Sequence, residues 1–158
     1  MSEYEYVNKL ETFLRKNGCK TWREVIPDNC EFWDKPYRVD LVFYRDDLGY
    51  IGVEAKELNT LGQGSVIAQA FEQIKKYRDF TYFHGNRLNR WCMTFALSKM
   101  EQEYFNKNMI TFNFIKNFFS VYDISILEFK EYENSSYNSI IIDSLTKKAI
   151  HIKNGENK

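Results

Sequence analysis

Proline and glycine are scarce in this 158-residue sequence, with two and seven residues, and histidine occurs only at His84 and His151. So few chain breakers, alongside 11 Tyr and 13 Phe, exclude a disordered or linker-like chain. The three cysteines, Cys19, Cys30 and Cys92, are odd in number and far apart, with no CxxC pair and no neighbouring histidine cluster. That spacing argues against a zinc site or a disulfide framework, and reduced cysteines packed as small apolar groups are expected instead. Charge of one sign is also missing. The 22 basic and 22 acidic residues cancel, so no global basic field advertises a polyanionic partner, and any nucleic-acid surface must be local. No apolar run approaches membrane-spanning length. The start, MSEYEYVNKLETF, lacks the basic, apolar and cleavage-site succession of a signal peptide. A cytoplasmic protein without a membrane partner is the expectation.

What is present reads as one domain over residues 1–158, long enough to bury a real core. Val7, Leu10 and Leu14 share a helical face in residues 3–17, stopped at Gly18. KTWREVI (20–26) reads as a first strand, and YRVDLVFY and YIGVEAK as two more, joined by the turn-rich RDDLG. From about Ser65 to Phe83, Val66, Ile67, Ala70, Phe71, Ile74 and Tyr77 recur at helical spacing. RWCMTFALS (90–98) follows as a fourth strand and KMEQEYFNKN as a short helix. MITFNFIKNFF fits either type, VYDISILEFKEY reads as a strand, and SIIIDSLTKKAIHIK as strand-turn-strand. This order predicts an α/β layered domain with a core over about 3–98 and an elaboration over about 99–153.

The middle hairpin carries charge where core strands do not usually want it. Alternation places Asp40 with Val42 and Tyr44 on one face of its strand, and Glu54 and Lys56 with Gly52 on one face of the next. If Tyr44 lies opposite Tyr50, Asp40 falls directly opposite Glu54. Opposed side chains have Cβ atoms roughly 4.5–5.5 Å apart, and like charges there destabilise a sheet unless something compensates. A divalent cation compensates: Mg²⁺ accepts one or two carboxylates, keeps several waters and bridges to substrate phosphate. Lys56 points into the same space, where it can orient an attacking water and neutralise charge developing on a phosphate. The plainer alternative is that Asp40 pairs with Arg38 or Lys56 as ordinary strand-surface charge. The apolar neighbours on both strands, the matching faces and the small Ala55 favour the catalytic reading.

These residues resemble the PD-(D/E)XK nuclease superfamily, in which an acid on one strand precedes (D/E)-x-K on the next. The likeness is to the nuclease domain that begins type I restriction motor subunits, with RVDLVFY, IGVEAK and a helical Q-x-x-x-Y element matched here by Gln73 and Tyr77 in QAFEQIKKY. It covers about Glu3 to Leu97. The resemblance implies a restriction-endonuclease-like αβββαβ core, a mixed central sheet flanked by helices, with extra C-terminal strands. It implies Asp40 and Glu54 as Mg²⁺ ligands (Mn²⁺ substituting), Lys56 as the catalytic lysine, and Gln73 and Tyr77 as supporting or DNA-contacting residues. The literal Pro27-Asp28 lies in a loop, where Asp28 is expected to begin a turn, and Val39 replaces the superfamily proline before Asp40. Many members add a glutamate from the first helix. Of Glu3, Glu5 and Glu11, the first and last border the buried face, and Glu11 is favoured.

Gln69, Gln73 and Tyr77 form one stripe on the second helix, a surface suited to phosphate or base-edge contact. Lys75, Lys76 and Arg78, with Arg87 and Arg90 shortly after, are the densest basic run and are expected to neutralise phosphates or simply to face solvent. The leading expectation is a Mg²⁺-dependent deoxyribonuclease, endo- or exonucleolytic, working in restriction, recombination or repair. The alternative is a nuclease-like fold that no longer cleaves and binds DNA or a protein partner. Any helicase or other nucleic-acid-processing partner would be a separate polypeptide. A homodimer is a further option, for which Phe112, Phe114, Phe118 and Phe119 offer an aromatic cluster, although core packing is the commoner fate of such residues.

Overall fold

In a computed structural model, the structure describes residues 2–26, 28, 38–57, 68–69, 71–73, 82–96, 109–131 and 138–154. Helix α1 (Glu3–Lys16) starts at a capping box: the Ser2 side chain accepts from the Glu5 N–H, and the Glu5 carboxylate accepts from the Ser2 N–H. Glu3 and Glu5 in the first turn and Arg15 and Lys16 in the last complement the helix dipole. Tyr6, Val7, Leu10, Phe13 and Leu14 form its buried stripe, wider than the three-residue face legible in sequence. Gly18, at φ +81°, turns the chain out of the helix.

Seven strands form one mixed sheet. They are β1 (Lys20–Val25), β2 (Val39–Arg45), β3 (Gly49–Glu57), β6 (Arg90–Ala96), β7 (Ile124–Glu131), β8 (Asn138–Asp143) and β9 (Ile150–Lys153), adjacent in that order. The β3–β6 and β6–β7 pairs are parallel and the remaining four antiparallel. A three-residue turn joins β2 to β3. Its Leu48 N–H donates to the Arg45 carbonyl, and Gly49 takes the left-handed conformation at φ +74° that closes such hairpins. Arg45 clamps this turn, donating through Nε and Nη2 to the Asp47 carboxylate and through Nη1 to the carbonyl of Asn17 at the end of α1.

Two apolar layers result. Helix α1 covers the face that carries Leu41, Phe43, Ile51, Val53, Ala55 and Cys92. The other face, with Val42, Trp91, Met93, Phe95, Ile124 and Ile126, is covered by Phe71 and by Ile115 and Phe119 of α2 (Met109–Val121). All of β6 is buried, as expected for a parallel strand packed on both sides. The hydroxyls of Tyr6 and Thr94 lie 2.6 Å apart, and Thr94 also donates to the Leu127 carbonyl, tying α1, β6 and β7 together. Cys19 and Cys92 are free and buried, and burial pushes their thiols up to about 11 and about 12. Cys30 lies outside the described residues.

The helix expected from about Ser65 to Phe83 is helical at 68–69 and 71–73, but its far end is not. Tyr82–Phe83 is strand β4, paired with β5 (Asn86–Arg87) as a separate hairpin. His84 and Gly85 both have positive φ, the geometry of a two-residue hairpin turn. Phe83 is buried against Trp22 and Tyr50, so an aromatic that continued the helical pattern in sequence is a strand residue docked on the sheet. The ambiguous MITFNFIKNFF is helical within α2, which runs through Val121, and the strand expected from that residue starts at Ile124 after Asp123 turns at φ +60°. Phe119 is buried and Phe118 partly exposed. The helix expected over KMEQEYFNKN lies outside the described residues. Among the described residues, no helix is long and apolar enough to cross a membrane.

Candidate active site

Because β2 runs antiparallel to β3, the beginning of β2 lies beside the end of β3. The observed register pairs Tyr44 with Tyr50 and Leu41 with Val53, so its next step brings Asp40 to Glu54. The Asp40 Oδ2 accepts the Ala55 N–H at 2.8 Å, which pins the carboxylate across the strand end. On the parallel side Glu54 lies across from Met93 and Lys56 from Phe95. That assigns both charged side chains to the layer opposite α1, alongside apolar neighbours.

Glu54 is 1% exposed. Its Oε1 is 3.4 Å from the Lys56 Nζ, and among the described residues its Oε2 has no hydrogen-bond partner. Burial, then the Asp40 charge, pushes the Glu54 carboxyl up to about 8, against the pull of Lys56. Burial also raises Asp40 to about 6; the Ala55 N–H and Lys56 oppose that rise, while the charges of Glu3 and Glu24 add to it. A buried carboxylate oxygen without a donor is costly, on the order of 1–3 kcal/mol or more for a charged group. The donor set is hard and anionic, and it leaves Glu54 Oε2 for an added cation, which fits Mg²⁺ or Mn²⁺ chemistry with water completing the shell. Among the described residues, no three His, Cys, Asp or Glu side chains converge as a ready-made metal cage.

The first-helix acid near this pair is Glu3, not the favoured Glu11. The Glu3 Oε2 accepts the Glu57 N–H at 3.2 Å, and its charge acts on both Asp40 and Glu54. Glu11 is engaged elsewhere: its Oε2 accepts from Thr21, and Arg15 and Arg23 stand 3.5 and 3.7 Å from it. Its place just beyond the middle of α1 puts it about two helical turns from Glu3. Glu24 was not foreseen. It lies between the pairs Arg23–Leu41 and Val25–Val39, hence across from Asp40, and takes φ +50°, unusual for a non-glycine residue. A β1–β2 register between strands well separated in the chain leaves no trace in sequence, so only the folded sheet reveals this neighbour.

Asp28 stays apart from the site, its Oδ2 accepting the Gly85 N–H at 2.8 Å. Gln69 is exposed and Gln73 half-buried, on the helical segment whose Phe71 packs on the Glu54 side of the sheet. Tyr77, Lys75, Lys76 and Arg78 lie outside the described residues.

No family profile and no curated protein matches the chain. Among solved structures it is similar to a repair endonuclease from Pyrococcus abyssi, with a TM-score of 0.39 and 20% identity over 69% of this chain. The match spans 44% of that protein's length, less than half. A likeness this slight adds nothing to what the site's own geometry supports.

Proposed function

We propose that this chain is a metal-dependent nuclease of the PD-(D/E)XK kind, hydrolysing phosphodiester bonds in DNA during restriction, recombination or repair. The observation that carries the reading is Glu54: a carboxylate closed off from water, one oxygen unpartnered, a second carboxylate across the hairpin and an ammonium at 3.4 Å. A strand kept for packing alone has no use for that group. Mg²⁺ bound between Asp40 and Glu54 would supply Lewis-acid polarisation of a phosphoryl oxygen and acidify a water. The chain's own residues do the rest. The Ala55 N–H holds Asp40 by Oδ2 and leaves Oδ1 for the ion. Glu54 turns Oε1 to Lys56 and keeps Oε2 for the same ion. Lys56 orients the incoming water and stabilises charge that grows on the phosphate. Glu3 contributes a further carboxylate at the rim.

The test is cleavage of plasmid, single-stranded and branched DNA by wild type, Lys56→Ala and Asp40→Asn, with Mg²⁺, Mn²⁺ or EDTA. Metal-dependent cutting by wild type, reduced by about 10²–10³ in Lys56→Ala, is the expected result. Binding of Mg²⁺ by calorimetry should survive Lys56→Ala and weaken in Asp40→Asn. Absence of both cleavage and metal binding would replace this reading with a fold that binds DNA or a protein without cutting.

A further inference from the structure

A second concentration of charge lies away from the carboxylates, where β6 begins. Glu54 and Lys56 sit across from Met93 and Phe95, well along that strand, whereas Arg90 is its first residue and pairs with Ile51. Here a cleft of about 560 Å³ is bordered by Arg87, Arg90, Trp91, Asp123 and Lys147 among others, within the size range of small-molecule sites. Lys147 reaches across it, donating to the Asn89 carbonyl at 2.7 Å and standing 3.5 Å from Asp123. Asp123 is therefore already matched, and it also accepts from the Thr146 hydroxyl.

Arg90 is the anomaly. It is 5% exposed, yet among the described residues no carboxylate balances its guanidinium. Its Nε donates to the Ser125 hydroxyl at 2.6 Å and its Nη1 to the Lys148 carbonyl at 2.9 Å. Nη2 is buried and has no acceptor among the described residues. A buried guanidinium held by neutral groups, with one nitrogen unmatched, is costly unless an anion completes it. Arg87, exposed at the rim, adds a second positive charge. Among the described residues, three cations against one carboxylate make the cleft positive, and the planar fork of arginine suits phosphate oxygens.

We propose that this cleft binds a phosphate group, with Arg90 as the buried ligand and Arg87 closing over it from the rim. The phosphate belongs either to a free nucleotide-like anion or to a nucleic-acid backbone. The site is separate from the carboxylate pair and needs no metal, so it stands or falls independently of the nuclease reading.

The experiment is calorimetric titration of the full chain with pyrophosphate in EDTA, repeated with a nucleoside monophosphate and a short single-stranded oligonucleotide as competitors. Wild type should bind pyrophosphate, Arg87→Ala should weaken it about tenfold, and Glu54→Gln should leave it unchanged. Arg90→Gln, if its circular dichroism matches wild type, should abolish binding; if it does not fold, Arg87→Ala decides alone. Competition by the oligonucleotide would assign the phosphate to a nucleic-acid backbone, and competition by the mononucleotide alone to a free ligand. No binding by wild type at millimolar pyrophosphate, or equal binding by Arg87→Ala, would overturn the proposal.

Discussion

Glu54 is a carboxylate that the fold holds under conditions hostile to its charge. Both Glu54 and Asp40 have folded values above the ordinary carboxylate range, about 8 and about 6. Their contribution to metal-free stability is therefore fully present below about pH 4 and is lost as pH rises through 6 and then 8. Two outcomes follow at this scale. Glu54→Gln should melt with wild type near pH 4, where Glu54 is protonated in the folded and largely in the unfolded chain, and be more stable by about 1–3 kcal/mol at pH 8.5 in EDTA, because the substitution removes a buried charge. Thermal melts across that range check it, and equal stability at pH 8.5 would contradict it. Mg²⁺ bound as proposed would compete with those protons, so its affinity by calorimetry should rise roughly tenfold or more between pH 6 and 8.

At the scale of elements, the β2–β3 hairpin owes its place to two close approaches. A side chain at Gly52 would put its Cβ 2.6 Å from the Trp91 ring and 2.9 Å from Leu88, so β3 can lie beside β6 only while that position is bare. Gly52→Ala should cost about 1–3 kcal/mol through overpacking, read as an earlier urea midpoint by tryptophan fluorescence. It should also lower the proposed cleavage, since Glu54 stands two residues on and moves with the strand. The Arg45–Asp47 clamp seats the turn on the end of α1, and that fixes the helix along the sheet. This seating is why Glu3 reaches the end of β3 while Glu11 meets Thr21.

At the scale of the molecule, β7, β8 and β9 continue the sheet that carries the carboxylates. The parallel β6–β7 ladder covers a strand that is buried throughout, and Ile124, Ile126 and Phe119 belong to the same apolar layer as Met93. The described residues 109–131 and 138–154 therefore act as part of the core that supports the carboxylate-bearing strands. A chain ended after residue 98 should fail to fold or aggregate through the bared edge of β6. Gel filtration and circular dichroism check this; a monomeric, cooperatively melting fragment would refute it.

Local patterning was enough to place α1, the hairpin of β2 and β3, β6 and the last two strands, because helical and strand periodicities and a short turn are properties of neighbouring residues. The pairing of Asp40 with Glu54 and Lys56 belongs to that class, since a three-residue turn leaves little freedom of register. Other features depended on contacts between distant segments. Glu24 comes to Asp40 through a β1–β2 pairing between distant segments, Glu3 rather than Glu11 is brought close to the carboxylates by the way α1 docks, and Phe83 leaves its helical pattern to pack on Trp22 and Tyr50. Arg90 read in sequence as one more basic surface residue; only the meeting of β6, β7 and the loop after β8 buries it and leaves one nitrogen unmatched. Periodicity reports which face of an element turns inward. Which charged groups then meet is decided by packing across the chain, and that information is carried by no local stretch of residues.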